Sequence, residues 1–598
     1  MINKFCKYPL WEVSTILADV AMGRTPADLV IKNAKLVNVC TREIIDGTSV
    51  AVAKGRIALV GDASHCIGDT TIVVDAEGRY LAPGFLDGHM HIESSMLRPS
   101  QYAKAVLPHG TTGVYYDPHE ITNVLGLDGV KCMIADLEST PLKGFLTIPS
   151  CVPAVKGFED TGAEIDHNDV REAMGYDTAV GLGEMMNFPG IIYSNPETHA
   201  IVGEVLKQDG TVTGHYSIPD TGMGLNAYVS AGIRCCHEST RWEDSLAKMR
   251  LGMYAMLREG SAWHDLKEVG RAITEHEVDS RYATLISDDT HPNTLKEKGH
   301  LDYILSRAVE EGIDPVEAIQ MATINCAQCF RVDHEIGSIA PGKCADMVLI
   351  DDLVKFNVSL TVIDGDIVAR DGEMCVEIEE FVFPDYAVDT VHVKDEITPD
   401  TFDIIADGDE AKVRVIEIIP ARTSTHQLIE TMKVVDGEIH ADVERDFLKG
   451  FVFERHHLTG KVGCGFIKGF GIHSGAIAST VSHDAHNLFV IGTNDEDMAL
   501  ACNELIKCGG GQCVVKEGKV LAIVPLKVAG LMSVKPLDEV VDEVARMERA
   551  WEQIGCDIPS PFMTMAIIPL ACLPVLRLTD RGLVDCTKFE IVDLFVKD

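Results

Sequence analysis

The sequence predicts an α/β protein: a (β/α)8 TIM-like barrel inserted in a small composite β-sandwich, plus a C-terminal α+β domain. Three observations carry this. From Leu81 the chain alternates short apolar runs with helix-length segments, among them 240–250 and 262–277. Eight of the runs end near His91, Tyr116-Asp117, Ser150, Glu184, His215, His237, Glu259 and Asp288, within about 250 residues, the usual span of such a barrel. Strand-like text of one style lies on both sides of this region.

Taken in order, residues 1–25 carry Leu10, Val13, Ile16, Leu17 and Val20 at helical spacing, which predicts an amphipathic docking helix. Residues 26–80 read as short strands, ADLVIKNAKLVNV, TSVAVAKGRIALVG and TTIVVDAEG, with turn residues at Lys54-Gly55, Gly61-Asp62 and Gly78. Residues 81–334 are the barrel, whose last expected helix is 315–329, with Asp314 as N-cap and Pro315 at its first position. Residues 335–384 return to β-like text at 336–339, CADMVLIDD and VSLTVIDGDIVARDGE, and are expected to complete the sandwich begun by 26–80. Residues 385–598 form the third domain. There 385–443 is strand-rich and acidic, 460–492 is glycine-rich and 496–507 is helical, and Gly509-Gly510-Gly511 leads into a hairpin, CVVKEGKVLAIVPL.

A chain of 598 residues is too long for one core, so about two to four domains are expected. A hydrophobic content of 46% and a charged content of 24% are those of an ordinary globular protein. The net charge of −40 repels phosphate backbones, which disfavours a general nucleic-acid binder. The 18 cysteines are scattered, and size excludes a small disulfide scaffold. No basic stretch followed by an apolar one opens the sequence, and no run approaches about 20 apolar residues. The expectation is a reduced, cytoplasmic homo-oligomer with neither nucleic acid nor membrane as partner.

The chemistry is organised around residues 81–96, LAPGFLDGHMHIESSM. If this run is a strand, alternation turns His89 and His91 to one side, where two imidazoles can grip a divalent metal. An HxH pair alone is a weak signal in a chain with 22 histidines. Four more polar residues stand at strand ends: Glu184 in VGLGEMMN, His215 in TVTGHYS, His237 in GIRCCHEST and Asp288 in ATLISDDTHP. Each alone reads more readily as a satisfied buried histidine or a solvated acid. Together they put four imidazoles and two carboxylates on the rim where barrels do their chemistry, enough for two metals bridged by a carboxylate.

This arrangement resembles that of the amidohydrolase superfamily. The wording is similar to the metal-dependent adenine deaminases of bacteria and archaea in PGFLDGHMHIESS, DPHEITNVLG, GLGEMMNFPG, GLNAYVSAGI with HEST, MLREGSA, SDDTHP and GAIASTVSHDAHN, spanning about residues 28–532. The resemblance implies hydrolysis of adenine to hypoxanthine and ammonia with two divalent ions, Mn(II) or Fe(II) ahead of Zn(II). It implies metal ligands His89, His91, Glu184, His215, His237 and Asp288, with catalysis resting on Asp288, Glu184 and His237. Glu184 would bridge the ions where many relatives use a carboxylated lysine, and Asp288 would carry the proton from the attacking hydroxide to the departing amine.

For the substrate the same reading offers His119, Glu120, Glu93, Ser95 and Arg258. His119 and Glu120 follow strand two and either meet the purine or form a loop pair. Glu93, Ser94 and Ser95 line the pocket or cap a helix. Arg258 holds substrate or pairs with Glu259, and Asp289 orients the surroundings of Asp288. His483, Asp484 and His486 look like a second metal cluster, but the barrel set is already complete, so a structural role or a lid contact is expected. His91-Ile92-Glu93 matches the H-x-E of zinc nucleobase deaminases, yet the one C-x-x-C, Cys326 to Cys329, lacks the preceding proline and reads as a buried thiol pair. The competing readings are another amidohydrolase acting on a different cyclic amide or aminated ring, and a non-catalytic scaffold relative, which the complete ligand set opposes.

Overall fold

Strands Phe85–Met90, Thr111–Tyr116, Lys143–Ile148, Ala179–Met185, Thr211–Gly214, Ile233–Cys236, Tyr254–Arg258 and Ala283–Ile286 are buried along nearly their whole length. Strands covered by helices outside and filled by side chains inside lose their polar face, which is why these runs are almost continuously apolar. In the computed structural model, which describes residues 5–419, 422–558 and 561–597, they form one eight-stranded sheet with neighbours in chain order. The paired strands run parallel. A parallel bridge from Met90 to Asp288 closes the sheet into a barrel.

The strand ends agree with the sequence reading to within about two residues, strand three stopping at Ile148 rather than Ser150. The helices expected at 240–250 and 262–277 are shorter, Trp242–Arg250 and Leu266–Thr274. The helix expected over 315–329 is two, Pro315–Met321 and Ile324–Cys329. Asp314 caps the first as expected, its side chain accepting from the amides of Val316 and Glu317. Thr323 then leaves the helical region, at φ −141° and ψ −93°, and its hydroxyl donates back to the Ile319 carbonyl. Cys326 and Cys329 are both buried free thiols.

The flanking β segments do join. Tyr80–Pro83 pairs antiparallel with Met347–Ile350, Leu81 opposite Leu349, within a nine-stranded sheet. Its distant turns meet, because a Cβ on Gly365 would lie 2.8 Å from Val52 and one on Gly55 3.1 Å from the Asp364 carbonyl. The sheet therefore curls around its own apolar interior. Residues 336–339 are not a strand: Gly337 takes φ +85°, a left-handed turn that extended pairing does not allow. The N-terminal helix is Leu10–Ala21, and Val13, Leu17 and Val20 join Val30, Ala51 and Ala53 in one core. The first four residues of the expected 1–25 segment lie outside the described residues. Cys6 and Cys344 are joined as a disulfide, where a fully reduced chain was expected.

In the C-terminal domain eight strands form a third sheet, and the helix and hairpin expected near 496–525 are present as Asp495–Cys508, Gly511–Lys516 and Lys519–Pro525. The strand-rich reading of 385–443 holds only from Glu410, because the preceding residues form a short helix, Asp385–Val388, and irregular chain. The loop 480–487, between strands Ala476–Ser479 and Leu488–Gly492, runs toward the C-terminal rim of the barrel. Among the described residues no helix is long and apolar enough to cross a membrane.

Candidate metal centre

The HxH stretch ends barrel strand one, and both imidazoles reach the same carboxylate. His89 Nε2 lies 3.5 Å and His91 Nε2 3.2 Å from Asp288 Oδ1. His91 Nδ1 donates to the Asp117 carbonyl at 2.9 Å, which leaves Nε2 as a lone pair facing the rim. Glu184 stands at the centre. Its Oε1 faces His91 Nε2 at 3.4 Å and His119 Nδ1 at 3.5 Å, and its Oε2 faces His215 Nδ1 at 2.5 Å and His237 Nε2 at 3.1 Å. Its amide donates to Asp117 Oδ2 at 2.7 Å, a contact that needs Gly183, because any Cβ there would sit 2.1 Å from the same oxygen.

All six expected metal ligands therefore converge, and His119 joins them. Donor atoms of His89, His91 and Asp288, of His89, Glu184 and His237, and of His91, His119 and Glu184 each lie within 4.8 Å of one another. His89 Nε2, His119 Nδ1 and Asp117 Oδ1 are buried without a hydrogen-bond partner. Buried polar atoms are normally satisfied, so a cluster of orphaned imidazole and carboxylate atoms fits a cation supplied from outside.

Electrostatics divide the acids. Burial pushes the Glu184 carboxyl up, but His215 and His237 outweigh it and hold the group well below the carboxylate range. Asp288 is likewise raised by burial and then held far lower by His89, His91 and Arg258. Glu120, with burial and the adjacent Glu93 acting together, is raised to about 8. Burial drops His237 to about 4, which keeps its nitrogens available as ligands.

The substrate candidates separate. Glu120 Oε1 accepts from Ser94 Oγ at 2.8 Å, and the same hydroxyl is 2.5 Å from Asp289 Oδ1. Glu93 Oε1 accepts from the Ile121 amide, while its Oε2 has no partner. Ser95 is turned away: its hydroxyl donates to the Ile92 carbonyl at 2.6 Å and accepts from the Leu97 amide, so a turn consumes it and Ser94 faces the site instead. Arg258 does not pair with Glu259. Its guanidinium is shared among Asp288 Oδ2 at 2.7 Å, Glu238 Oε1 at 2.8 Å and Asp265 Oδ2 at 2.7 Å, which leaves it holding Asp288 rather than reaching for substrate. Glu259 instead faces His264 and Arg307.

Known proteins share two regions with this chain. Residues 80–368 match the amidohydrolase family and residues 422–590 the adenine deaminase C-terminal domain. An adenine deaminase of Clostridium botulinum (strain 657) is 63% identical over 599 residues, covering the whole of both chains. The chain belongs to the adenine deaminase family. Adenine deaminases of Moorella thermoacetica and Mesorhizobium japonicum are 51% and 43% identical, each covering 98% of both chains. Membership in the amidohydrolase superfamily implies a divalent metal, and the donor set of this adenine deaminase homologue suits one.

Two participants were not foreseen in these roles. Asp117 and Glu238 buttress Glu184 and Arg258, and Glu238 immediately follows His237 in HEST, a signal the sequence did offer. His483 and Asp484, for which a structural role or a lid contact was expected, come from the C-terminal domain. Asp484 Oδ1 lies 3.8 Å from His119 Nε2, and His483 Nδ1 lies 4.0 Å from Glu120 Oε1. The loop that carries them therefore lies against groups of the barrel rim.

Proposed function

We propose that this chain hydrolyses adenine to hypoxanthine and ammonia at a centre of two divalent ions, Mn(II) or Fe(II) ahead of Zn(II). The observation that carries it is Glu184, whose two oxygens each face a different pair of histidines, His91 with His119 and His215 with His237. Held by these side chains, a pair of divalent ions would supply the acidity that makes hydroxide available from water near neutral pH. The remaining work falls to the chain. Glu184 balances charge between the two histidine sets. Arg258 fixes Asp288 Oδ2, which leaves Oδ1, beside His89 and His91, to take a proton and return it to the departing amine. Ser94 orients Glu120 as a donor toward a ring nitrogen.

An imidazole and carboxylate set without thiolate favours the harder ions. A cytoplasmic homo-oligomer, acting on adenine and water, is part of the same proposal. Ammonia release by metal-reconstituted protein tests it, with adenine, adenosine and a panel of cyclic amides as substrates. Adenine is expected to turn over best. Faster turnover of adenosine or of a cyclic amide overturns the substrate assignment.

A further inference from the structure

Loop 480–487 of the C-terminal domain closes one side of the metal cluster, and it is held firmly. The His483 amide donates to the Ala566 carbonyl at 2.8 Å, and Ser482 Oγ donates to the Asn487 carbonyl at 2.5 Å. The fully buried Arg455 donates to the His486 and Ala529 carbonyls. Asp484 is 2% exposed, and its Oδ2 has no hydrogen-bond partner. Its Oδ1 is 3.8 Å from His119 Nε2 and 3.7 Å from His483 Nδ1, both too long for hydrogen bonds. A carboxylate pinned by its loop and buried, with one oxygen that accepts no hydrogen bond, is costly unless something outside the chain completes it.

Its position says what that is. Asp484 stands one imidazole away from the reacting centre, since His119 faces Glu184 through Nδ1 and Asp484 through Nε2. The amine-bearing carbon of the substrate must lie at the Glu184 and Asp288 end. The six-membered ring of adenine carries no ring N–H, so beyond the exocyclic amine its one ring nitrogen donor is in the five-membered ring, offset from the reacting carbon. We propose that Asp484 is a specificity-determining residue: its free oxygen accepts the five-membered-ring N–H of the purine. This rests on the adenine reading above. It also supplies a reason for choosing the free base, because a nucleoside has replaced that hydrogen with a sugar and would leave the carboxylate buried and unmatched.

The experiment uses full-length, metal-reconstituted enzyme as wild type, Asp484→Asn and Asp484→Ala, with adenine and 9-methyladenine as probes. A hydrogen bond to a charged group is worth roughly ten- to hundredfold in binding. KM for adenine is therefore expected to rise by about that factor in Asp484→Asn, with kcat changed less and metal content unchanged. Asp484→Ala is expected to narrow the preference for adenine over 9-methyladenine, which a merely structural role would not do. Three results overturn the proposal: adenine kinetics within about threefold of wild type, an unchanged preference in both variants, or loss of a metal equivalent on substitution, which would make Asp484 a cation ligand. Calorimetric binding of adenine separates this from the reaction itself. Wild type that binds adenine through Asp484 yet releases no ammonia removes the deamination reading and leaves the contact standing.

Discussion

At the N-terminal end of the barrel, Lys143 opens strand three and places Nζ 2.7 Å from Asp346 Oδ2 and 2.8 Å from Asp364 Oδ1. Asp346 also accepts from the Asp364 amide, and Asp364 from the Lys7 amide. At the C-terminal end, carboxylates and imidazoles are packed as tightly, but His89, Asp117, His119, Glu120 and Asp484 each retain a buried atom with no partner. Among the described residues, Arg258 alone brings a fixed positive charge to Asp288. The two ends show that burial of charge does not by itself mark function. A cluster whose charges are met within the chain is finished by folding, whereas one left unmet needs a cation or a substrate to complete it.

The contrast can be broken first at Glu184. Glu184→Gln keeps the shape but offers a neutral amide to two dications, so metal analysis should show retention collapsing from about two equivalents, as a two-metal site requires, with activity lost alongside. Asp288→Asn should lower kcat and kcat/KM together by about 10²–10⁴ while metal content falls less. If more than about a tenth of kcat survived with metals in place, Glu120 or His119 would have to carry the proton.

At the other end, Lys143→Met strands two acids, and denaturant titration should show a loss of about 3–5 kcal/mol, as when one partner of a buried ion pair is removed. Turnover per folded molecule should stay unchanged, and a changed kcat would show that the ends are coupled. Chelation should then act on one end only. Metal present at a hundredfold excess over its Kd adds about 2.7 kcal/mol of stability. Thermal melts with and without chelator should give the same increment in wild type and in Lys143→Met.

The smallest effect concerns an intermediate case, Asp580, at the seam between the barrel and the C-terminal domain. It accepts from the Asp160 amide and from Asn487 Nδ2. Burial, reinforced by the neighbouring Asp160, raises its carboxyl to about 8. A raised folded-state pKa means that this contribution is complete below the ordinary carboxylate value and is lost as pH climbs toward 8. Asp580→Asn should therefore melt closest to wild type at about pH 4, near the ordinary carboxylate value, and increasingly above it as pH rises to about 9. Parallel pH profiles for the two proteins would show that Asp580 titrates normally.

Much of this was legible in one dimension, for a physical reason. Strand periodicity and the abrupt arrival of a polar residue after an apolar run are local properties. They located Glu184, His215 and His237 at strand ends before any contact was known. The HxH spacing likewise turned His89 and His91 to one side, where the structure brings both to Asp288. The paired halves of the curled sheet were legible from style alone, because both are short alternating strands that cannot bury an apolar face unaided. Helix ends were less so, since Thr323 breaks its helix through a backbone turn that no periodicity announces.

What tertiary structure decided was partnership. Nothing local tells Arg258 to choose Asp288, Glu238 and Asp265 over its neighbour Glu259, or Ser95 to spend its hydroxyl on a turn while Ser94 faces the site. Those choices follow from which side of the strand end each side chain leaves. His483 and Asp484 lie more than 360 residues beyond His119 and Glu120, and reach them because the C-terminal sheet holds their loop against the rim. Sequence determines which residues are polar at the end of an element. Only the packing of one element on another determines which of those polar groups is left without a partner, and therefore which are free to bind.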